Sequence, residues 1–348
     1  MKKFLIKHVG NMGDLVFFIP PILSVLKQKY PDCHITFITP WGFKDKHGRW
    51  GKRNQDGFCV SLIMTNPHID QLIHWHDTKL DLSARTCCED GRCFPTWNRQ
   101  YFNQQKNSGS YTNTYELDFG IGHEDNPLKK IYRHLGLPQA DFTNYKIYLT
   151  PQDEYIASNV MASAPHPRII LLEGLEGATT RGWDPGKIDD LSSQIKKIYR
   201  VAPIWFGGKY TPEYKGRPLT LRENMATLTF ADAAIGVMSG PLHFAAAVGA
   251  PTLTLFCDQA LHRSAPAFFL NKYIADKQRR HRTLLGPSSL PYTILKSPNP
   301  PPELTSAEVN RQHYKNWTRP GKQSTKSGLA AITVSEIMTV LQDILPPG

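Results

Sequence analysis

The stretch ADAAIGVMSGPLHFAAAVGAPTLTLF, residues 231–256, places two short apolar runs on either side of a loop and a helix. AAIGV and TLTLF have the continuous apolar character of strands that are buried on both faces of a parallel sheet. Between them, Ser239 can cap a helix and Pro241 suits its first turn. The order strand, loop, helix, strand predicts a βαβ unit and therefore an α/β fold.

The start of this helix is also a candidate binding site for a diphosphate. Backbone N–H groups in a first helical turn lack intrahelical partners and carry the positive end of the helix dipole. The alternative is an ordinary βαβ turn with a buried histidine, which the number of aligned features makes the weaker interpretation. The residues that would form the anion site are consecutive: Met238, Ser239, Gly240, Pro241, Leu242 and His243.

A second strand-to-helix loop carries a cation. The predicted strand RIILLEG is followed by TTRGWDP, residues 179–185, in which Arg181 stands near Trp183. Arginine suits bidentate contact with phosphate, so Arg181 is a further candidate for anion binding. The alternative is a surface arginine, and Trp183 is better explained as a core residue at a helix start.

The amino-terminal segment, residues 2–40, follows the same plan. KKFLIKHVG predicts a strand, GNMGD its exit loop, LVFFIPPILSVLKQKY a helix and CHITFITP a second parallel strand. Pro20 and Pro21 fall inside the helical pattern, so we expect a kink or a late helix start there.

Asp14 ends this exit loop, which also contains Gly10, Asn11 and Gly13. A carboxylate at the carboxyl end of the first strand faces the crevice where ligands of open α/β sheets bind. It either caps the helix or takes part in chemistry, and both interpretations stay open. The loop lacks G-x-G-x-x-G and the second strand ends without an acidic residue, so a dinucleotide site is disfavoured.

The basic amino terminus does not read as a signal peptide, because Lys7, His8 and Asp14 interrupt the apolar run that such a peptide needs. We therefore expect a cytoplasmic protein, with the inner membrane face as a surface for peripheral contact. The net charge of +11 favours an acidic partner such as a nucleotide, a phosphorylated glycolipid, a membrane surface or nucleic acid.

The length of 348 residues exceeds the point, about 250–300 residues, at which a single core usually divides. We expect an amino-terminal domain at 1–165, a second domain at 166–330 and a final amphipathic helix within 331–348. Two polar segments, 40–60 and 77–125, read as long loops of the kind that often bind ligands. The proline-rich segment 285–328 reads as an extended surface segment.

Three cysteines form a close group in CCEDGRC: Cys87, Cys88 and Cys93. Their spacing does not match the C-x₂-C pattern of structural zinc sites, which favours free thiols over a metal site. The metal interpretation stays open as the weaker alternative.

Four stretches together resemble glycosyltransferase family 9, the heptosyltransferases of lipopolysaccharide biosynthesis. The amino-terminal strand, loop and helix are similar to the family's I-R-x-x-x-x-G-D…P-x-x-x-x-L-K segment, and NPHIDQLI is similar to N-P-x-I-D-x-V-I. TTRGWDPGKIDDL resembles K-x-W-P-x-x-x-F/I-x-x-L, and the stretch quoted first resembles A-D-x-x-I-G-x-D-S-G-P-x-H-x-A-A-A-x-G-x-P-x-x-x-L-F. The sequence departs from the last pattern at Met238, where the family has an aspartate.

The resemblance implies a GT-B architecture, in which two Rossmann-like domains with parallel sheets face a central cleft. It further implies an inverting reaction without an essential metal or other cofactor, and a final helix that returns to brace the first domain. Asp14 matches the family's catalytic base, with Gly10, Asn11 and Gly13 on the acceptor side. Arg181 stands where a phosphate-binding lysine is usual, and Ser239, Gly240, Pro241 and His243 match the donor diphosphate loop.

The resulting hypothesis is transfer of a sugar from a nucleoside-diphosphate sugar to a hydroxyl of a glycan or glycolipid such as lipopolysaccharide core. One alternative is a glycosyltransferase that acts on modified nucleic acid, with KQRRHR at 277–282 contacting phosphates. Another is a GT-B-like binding protein that has lost catalysis, against which the presence of Asp14 argues.

Overall fold

Two compact units, Met1–Tyr148 and Leu149–Gly348, make up the computed structural model of the protein. Each unit is built on a parallel sheet, so the predicted α/β class is confirmed. None of the helices that the structure describes has the length and apolar character needed to cross a bilayer. The described residues are 1–8, 12–39, 58–74, 96–117, 135–137, 146–172, 183–207, 212–237, 240–256, 293–296 and 332–347.

The first unit contains a four-stranded sheet in the order β3-β2-β1-β4, with every neighbouring pair parallel. The chain moves outward from β1 to β3 and then returns to the other side of β1. The topological switch point therefore lies between β1 and β4. The elements are β1 Lys3–Lys7, α1 Met12–Lys29, β2 His34–Thr39, α2 Phe58–Ile63, β3 Gln71–His74, α3 Thr96–Asn107 and β4 Asn113–Glu116.

The predicted strand, helix and strand at the amino terminus are confirmed as β1, α1 and β2. Helix α1 begins at Met12 and continues through Pro20 and Pro21, so it does not start late. Its apolar residues recur at helical spacing and are buried, as at Leu15, Ile19 and others of the same face. We attribute the tolerance of two prolines to this burial, since packing supplies most of the stability of a helix in a protein.

The prediction of a long loop at 77–125 is wrong in part, because this segment contains α3 and β4. Helix α3 is polar in sequence, and it is anchored by Phe102, which packs with Leu5, Ile38 and Ile73 in a buried cluster. Strand β4 pairs with β1 in register from Phe4 to Lys7. The predicted loop at 40–60 likewise includes the start of α2, and the rest of both segments lies outside the described residues.

The second unit contains a five-stranded parallel sheet in the order β11-β10-β9-β5-β6 and a separate antiparallel pair, β7-β8. Its switch point lies between β5 and β9. The strands predicted from RIILLEG, AAIGV and TLTLF are confirmed, and β11 falls in the segment expected to be extended surface. The elements are α4 Pro151–Met161, β5 Ile169–Leu172, α5 Pro185–Tyr199, β6 Ile204–Phe206, β7 Glu213–Tyr214, β8 Arg217–Pro218, α6 Leu221–Thr227, β9 Ala233–Val237, α7 Gly240–Ala247, β10 Thr252–Phe256, β11 Thr293–Lys296 and α8 Val334–Ile344.

The boundary between the units lies between Tyr148 and Leu149, earlier than the predicted boundary at 165. Helix α4 belongs to the second unit because it packs on α6. Thr150 and Asp153 form a capping box at its start, and the Asp153 carboxylate accepts a hydrogen bond of 2.6 Å from the Arg222 guanidinium of α6. Both side chains of this ion pair are about nine-tenths buried.

Helix α8 confirms the predicted final amphipathic helix, but its placement differs from the expected return to the first domain. Its apolar face, including Ile337 and Leu341, lies in the core of the second unit together with residues of β5, β9, β10 and α5. Tyr199 of α5 donates a hydrogen bond of 2.7 Å to the Leu345 carbonyl. The sheet and α5 thus already cover the apolar face of α8, which the family resemblance had placed against the first domain.

Candidate functional site

Two loops of the second unit leave adjacent strands at the switch point of its sheet. Strand β5 ends at Leu172 and β9 ends at Val237, and the two strands pair in parallel. The segment 173–182, which contains Arg181, follows β5, and the segment 238–239 follows β9. The carboxyl ends of the strands at a switch point form the usual ligand crevice of an open α/β sheet. The two predicted anion-binding loops therefore originate side by side.

Helix α7 begins at Gly240, directly after the short link from β9. Pro241 occupies its first turn as predicted, Leu242 is buried in the core, and His243 is 8% exposed. The side chain of His243 is thus held in place next to the helix start, which fits a buried structural histidine as well as a ligand donor. Arg181, Met238 and Ser239 lie outside the described residues.

The chain is firmly fixed two residues after Arg181. Trp183 is 2% exposed, and its indole N–H donates to the Ile332 carbonyl at 3.3 Å. Lys187 donates to the same carbonyl at 3.1 Å, and Asp184 caps α5 by accepting from Gly186 N–H at 2.8 Å. The interpretation of Trp183 as a core residue is confirmed.

In the first unit, Asp14 is the third residue of α1 and lies in its first turn. No described contact distinguishes the capping interpretation of Asp14 from the catalytic one, so both stay predictions. A carboxylate in a first turn is also stabilised by the helix dipole. Gly13 lies beside Asp14 in the same turn, whereas Gly10, Asn11 and the Asp14 side chain lie outside what the structure describes.

An ion pair that the sequence did not predict lies where β1 and β4 end. The Lys7 ammonium donates to the Glu116 carboxylate, and the two residues are register partners in the sheet. His8, which follows Lys7, is fully buried, and its Nδ1 lies 2.6 Å from the Leu117 carbonyl. The only signal for this arrangement in the sequence was the interruption of an apolar strand by Lys7 and His8.

The NPHIDQLI motif, 66–73, holds the opposite edge of the first sheet together. The Asp70 carboxylate accepts from the Ile35 N–H and from the Lys27 ammonium, both at 2.7 Å. Burial alone would raise the pKa of Asp70, but the hydrogen bonds from Lys27 and Ile35 outweigh it and lower that pKa. This motif therefore connects β2, α1 and the start of β3, and its role in the structure is architectural.

The comparison with protein families gives one match, to glycosyltransferase family 9 (heptosyltransferase), over residues 217–279. The matched segment includes β9, the link to α7, and α7 itself. No curated protein matches the sequence.

Several solved structures share the fold. A glycosyltransferase family 9 protein from Veillonella parvula DSM 2008 is 13% identical with a TM-score of 0.61, covering 99% of this chain and 97% of that one. The E. coli ADP-heptose lps heptosyltransferase II is 12% identical with a TM-score of 0.53, covering 99% and 98%. The iron-containing dodecameric glycosyltransferase TibC from enterotoxigenic E. coli H10407 is 13% identical with a TM-score of 0.55, covering 99% and 77%.

The two parallel sheets and these structural neighbours define the GT-B fold, in agreement with the architecture that the family resemblance implied. The family match over residues 217–279 agrees with the resemblance to glycosyltransferase family 9 that was drawn from the motifs.

The remaining candidates for metal binding, Cys87, Cys88 and Cys93, lie outside the described residues. Within the residues that are described, no group of three or more His, Cys, Asp or Glu side chains could hold a metal ion. The basic segment at 277–282 also lies outside the described part of the chain.

Proposed function

We propose that the protein is an inverting glycosyltransferase that moves a heptose-like sugar from a nucleoside-diphosphate sugar to a hydroxyl of a glycan or glycolipid, such as lipopolysaccharide core. The observation that carries the proposal is the origin of both candidate anion loops at the switch point between β5 and β9. The loop after β9 also lies inside the family match.

The donor diphosphate is assigned to the start of α7. Backbone N–H groups of Ser239, Gly240 and Leu242 would contact phosphate oxygens, with Arg181 and His243 as side-chain donors. A helix start binds anions through its free N–H groups and its dipole, and arginine adds a bidentate partner. The E. coli relative that is named for ADP-heptose and lps supports a donor and an acceptor of this chemistry.

The reaction is proposed as a single displacement. The acceptor oxygen attacks C1 of the donor sugar and forms the new glycosidic bond, while the bond from C1 to the phosphate oxygen breaks and its electron pair leaves with the diphosphate. Asp14 takes the proton from the attacking hydroxyl. General-base assistance of this kind is worth about 10²–10⁴ in rate.

The charge that develops on the leaving diphosphate is offset by Arg181 and by the α7 helix start, so the proposal requires no metal cofactor. A single preorganised donor at a developing oxyanion contributes roughly 3 kcal/mol. Two such elements supply stabilisation of the size that a bound cation would otherwise provide.

A thermal-shift comparison of ADP-, UDP- and GDP-sugars tests the donor assignment, because a ligand that binds only the folded state raises its stability. We expect one nucleotide class to raise the melting temperature and the corresponding sugar to be transferred to a deacylated core oligosaccharide. Binding without turnover would favour a catalytically inactive binding protein. Salt-sensitive binding to duplex DNA would favour the nucleic-acid alternative.

A further inference from the structure

The Lys7–Glu116 ion pair spans the switch point of the first sheet. The order β3-β2-β1-β4 places the divergence of the chain between β1 and β4, and these two residues are the last of their strands. The crevice outside the carboxyl ends of strands at a switch point is where open α/β sheets bind ligands. The pair therefore lies at the expected ligand edge of this unit.

The two partners differ greatly in exposure. The Lys7 side chain is 2% exposed, whereas the Glu116 side chain is 36% exposed. A buried ammonium needs a charged or hydrogen-bonding partner, and Glu116 supplies one while the ring of Phe102 lies 5.7 Å from the ammonium. Lys7 thus holds a carboxylate that remains partly exposed.

The backbone around the pair is tied across three strands. Leu117 N–H donates to the Lys7 carbonyl at 2.7 Å, and His8 N–H donates to the Ile38 carbonyl at 3.1 Å. The buried His8 ring adds a hydrogen bond to the Leu117 carbonyl. Because sites built on rigid elements hold their geometry best, the Glu116 carboxylate has a well-defined position.

We propose that Glu116 binds a hydroxyl of the acceptor sugar and so selects which acceptor hydroxyl is presented for transfer, with Lys7 as its positioning residue. The carboxylate accepts a hydrogen bond from that hydroxyl. This inference rests on the proposed function and adds the acceptor-binding residue to it.

The test compares Glu116→Gln with the wild type in transfer from ADP-heptose to deacylated lipopolysaccharide core oligosaccharide. We expect the acceptor KM to rise about tenfold, the effect of losing one charged hydrogen bond, with donor Kd within error of the wild type and a lower melting temperature, because the buried Lys7 ammonium loses this carboxylate. The matched control is Asp32→Asn, which removes an exposed carboxylate near the amino end of β2. The control is expected to leave acceptor KM unchanged.

A second variant guards against a folding defect, since Gln at 116 removes a carboxylate that the buried Lys7 ammonium contacts. The double variant Lys7→Met/Glu116→Leu removes both charges, and replacing a buried ion pair by apolar residues is often neutral for stability. It must show the same rise in acceptor KM. Wild-type acceptor KM in the folded double variant, or in Glu116→Gln, would overturn the inference while leaving the proposed function intact. Absence of transfer by the wild type would contradict the proposed function itself, and the inference with it.

Discussion

Gly236 of β9 lies directly against Leu172, the last residue of β5, at the switch point of the second sheet. A Cβ atom at position 236 would lie 2.8 Å from Leu172 Cδ1 and 3.0 Å from its Cβ. Real Cβ contacts are not this short, so a side chain at 236 would force the two strand ends apart. The loops that are assigned to the donor begin immediately beyond these two residues.

Gly236→Ala is therefore expected to destabilise the protein by about 1–3 kcal/mol, the usual cost of overpacking a core, and to weaken nucleoside diphosphate binding. Urea unfolding and calorimetry measure the two effects. Gly186→Ala is the matched control, because a Cβ there meets only Asp184 Oδ1 at 3.4 Å and alanine favours a helix. Equal stability of Gly236→Ala and the wild type would contradict the close approach.

The donor assignment predicts the effect of two alanine substitutions. His243→Ala and Arg181→Ala should each weaken nucleoside diphosphate binding by about 1–3 kcal/mol, the range for losing one partner of a charged hydrogen bond. Isothermal titration calorimetry with ADP measures this, and Lys197→Ala, an exposed cation of α5, serves as the control. Unchanged affinity in both variants would remove the donor site from the second unit.

The Asp153–Arg222 pair predicts a pH dependence of stability. Burial would raise the pKa of the Asp153 carboxyl, but hydrogen bonds from Arg222 and Thr150 outweigh it and lower the pKa below its ordinary value. The unfolded chain then binds the proton more readily than the folded protein does. The stabilisation is present above the ordinary carboxyl pKa of about 4 and is lost as the pH falls through the lower folded-state pKa.

Asp153→Asn should cost about 3–5 kcal/mol at pH 7, because it leaves Arg222 buried without its charged partner. The free energy of unfolding of this variant should also fall less steeply than that of the wild type as the pH is lowered from about 5 to about 3. Glu154→Gln changes the neighbouring exposed carboxylate and should match the wild type. If the free energy of unfolding of Asp153→Asn changed with pH as steeply as that of the wild type, other carboxylates would be responsible for the pH dependence of stability.

A metal-independent mechanism predicts that transfer survives chelation. Turnover after treatment with EDTA and gel filtration should equal that of the untreated enzyme, because Arg181 and the α7 helix start are proposed to offset the leaving-group charge. Measuring bound metal in the same samples shows whether the protein had held any. Loss of turnover that an added divalent cation restores would contradict the metal-free proposal.

Local sequence patterns were sufficient for elements that combine an apolar run with a turn signal. Strands β1 and β9 and helix α7 were predicted on that basis and are present. Helix α3 and strand β4 were missed because their sequences are polar. Their structure depends on Phe102 packing beneath β1 and β2 and on pairing of β4 with β1, which are contacts between distant parts of the chain.

The candidate functional residues were also predictable only in part. Glycine, proline and serine around 238–241 signal a strand-to-helix turn, and that turn is where the structure begins α7. The Lys7–Glu116 pair could not be predicted, because strand order decides that these residues become neighbours. The placement of α8 was also missed, since an amphipathic stripe shows that a helix is covered on one face but does not identify the covering element.

The most direct test of the proposed mechanism is the turnover of Asp14→Asn, measured together with donor affinity and melting temperature. Asparagine keeps the size and the capping ability of aspartate and removes its basicity. We predict an unchanged melting temperature, unchanged ADP affinity and a loss of turnover of about 10²-fold or more. Wild-type turnover, or strong destabilisation by this substitution, would contradict the assignment of Asp14 as the base that activates the acceptor hydroxyl.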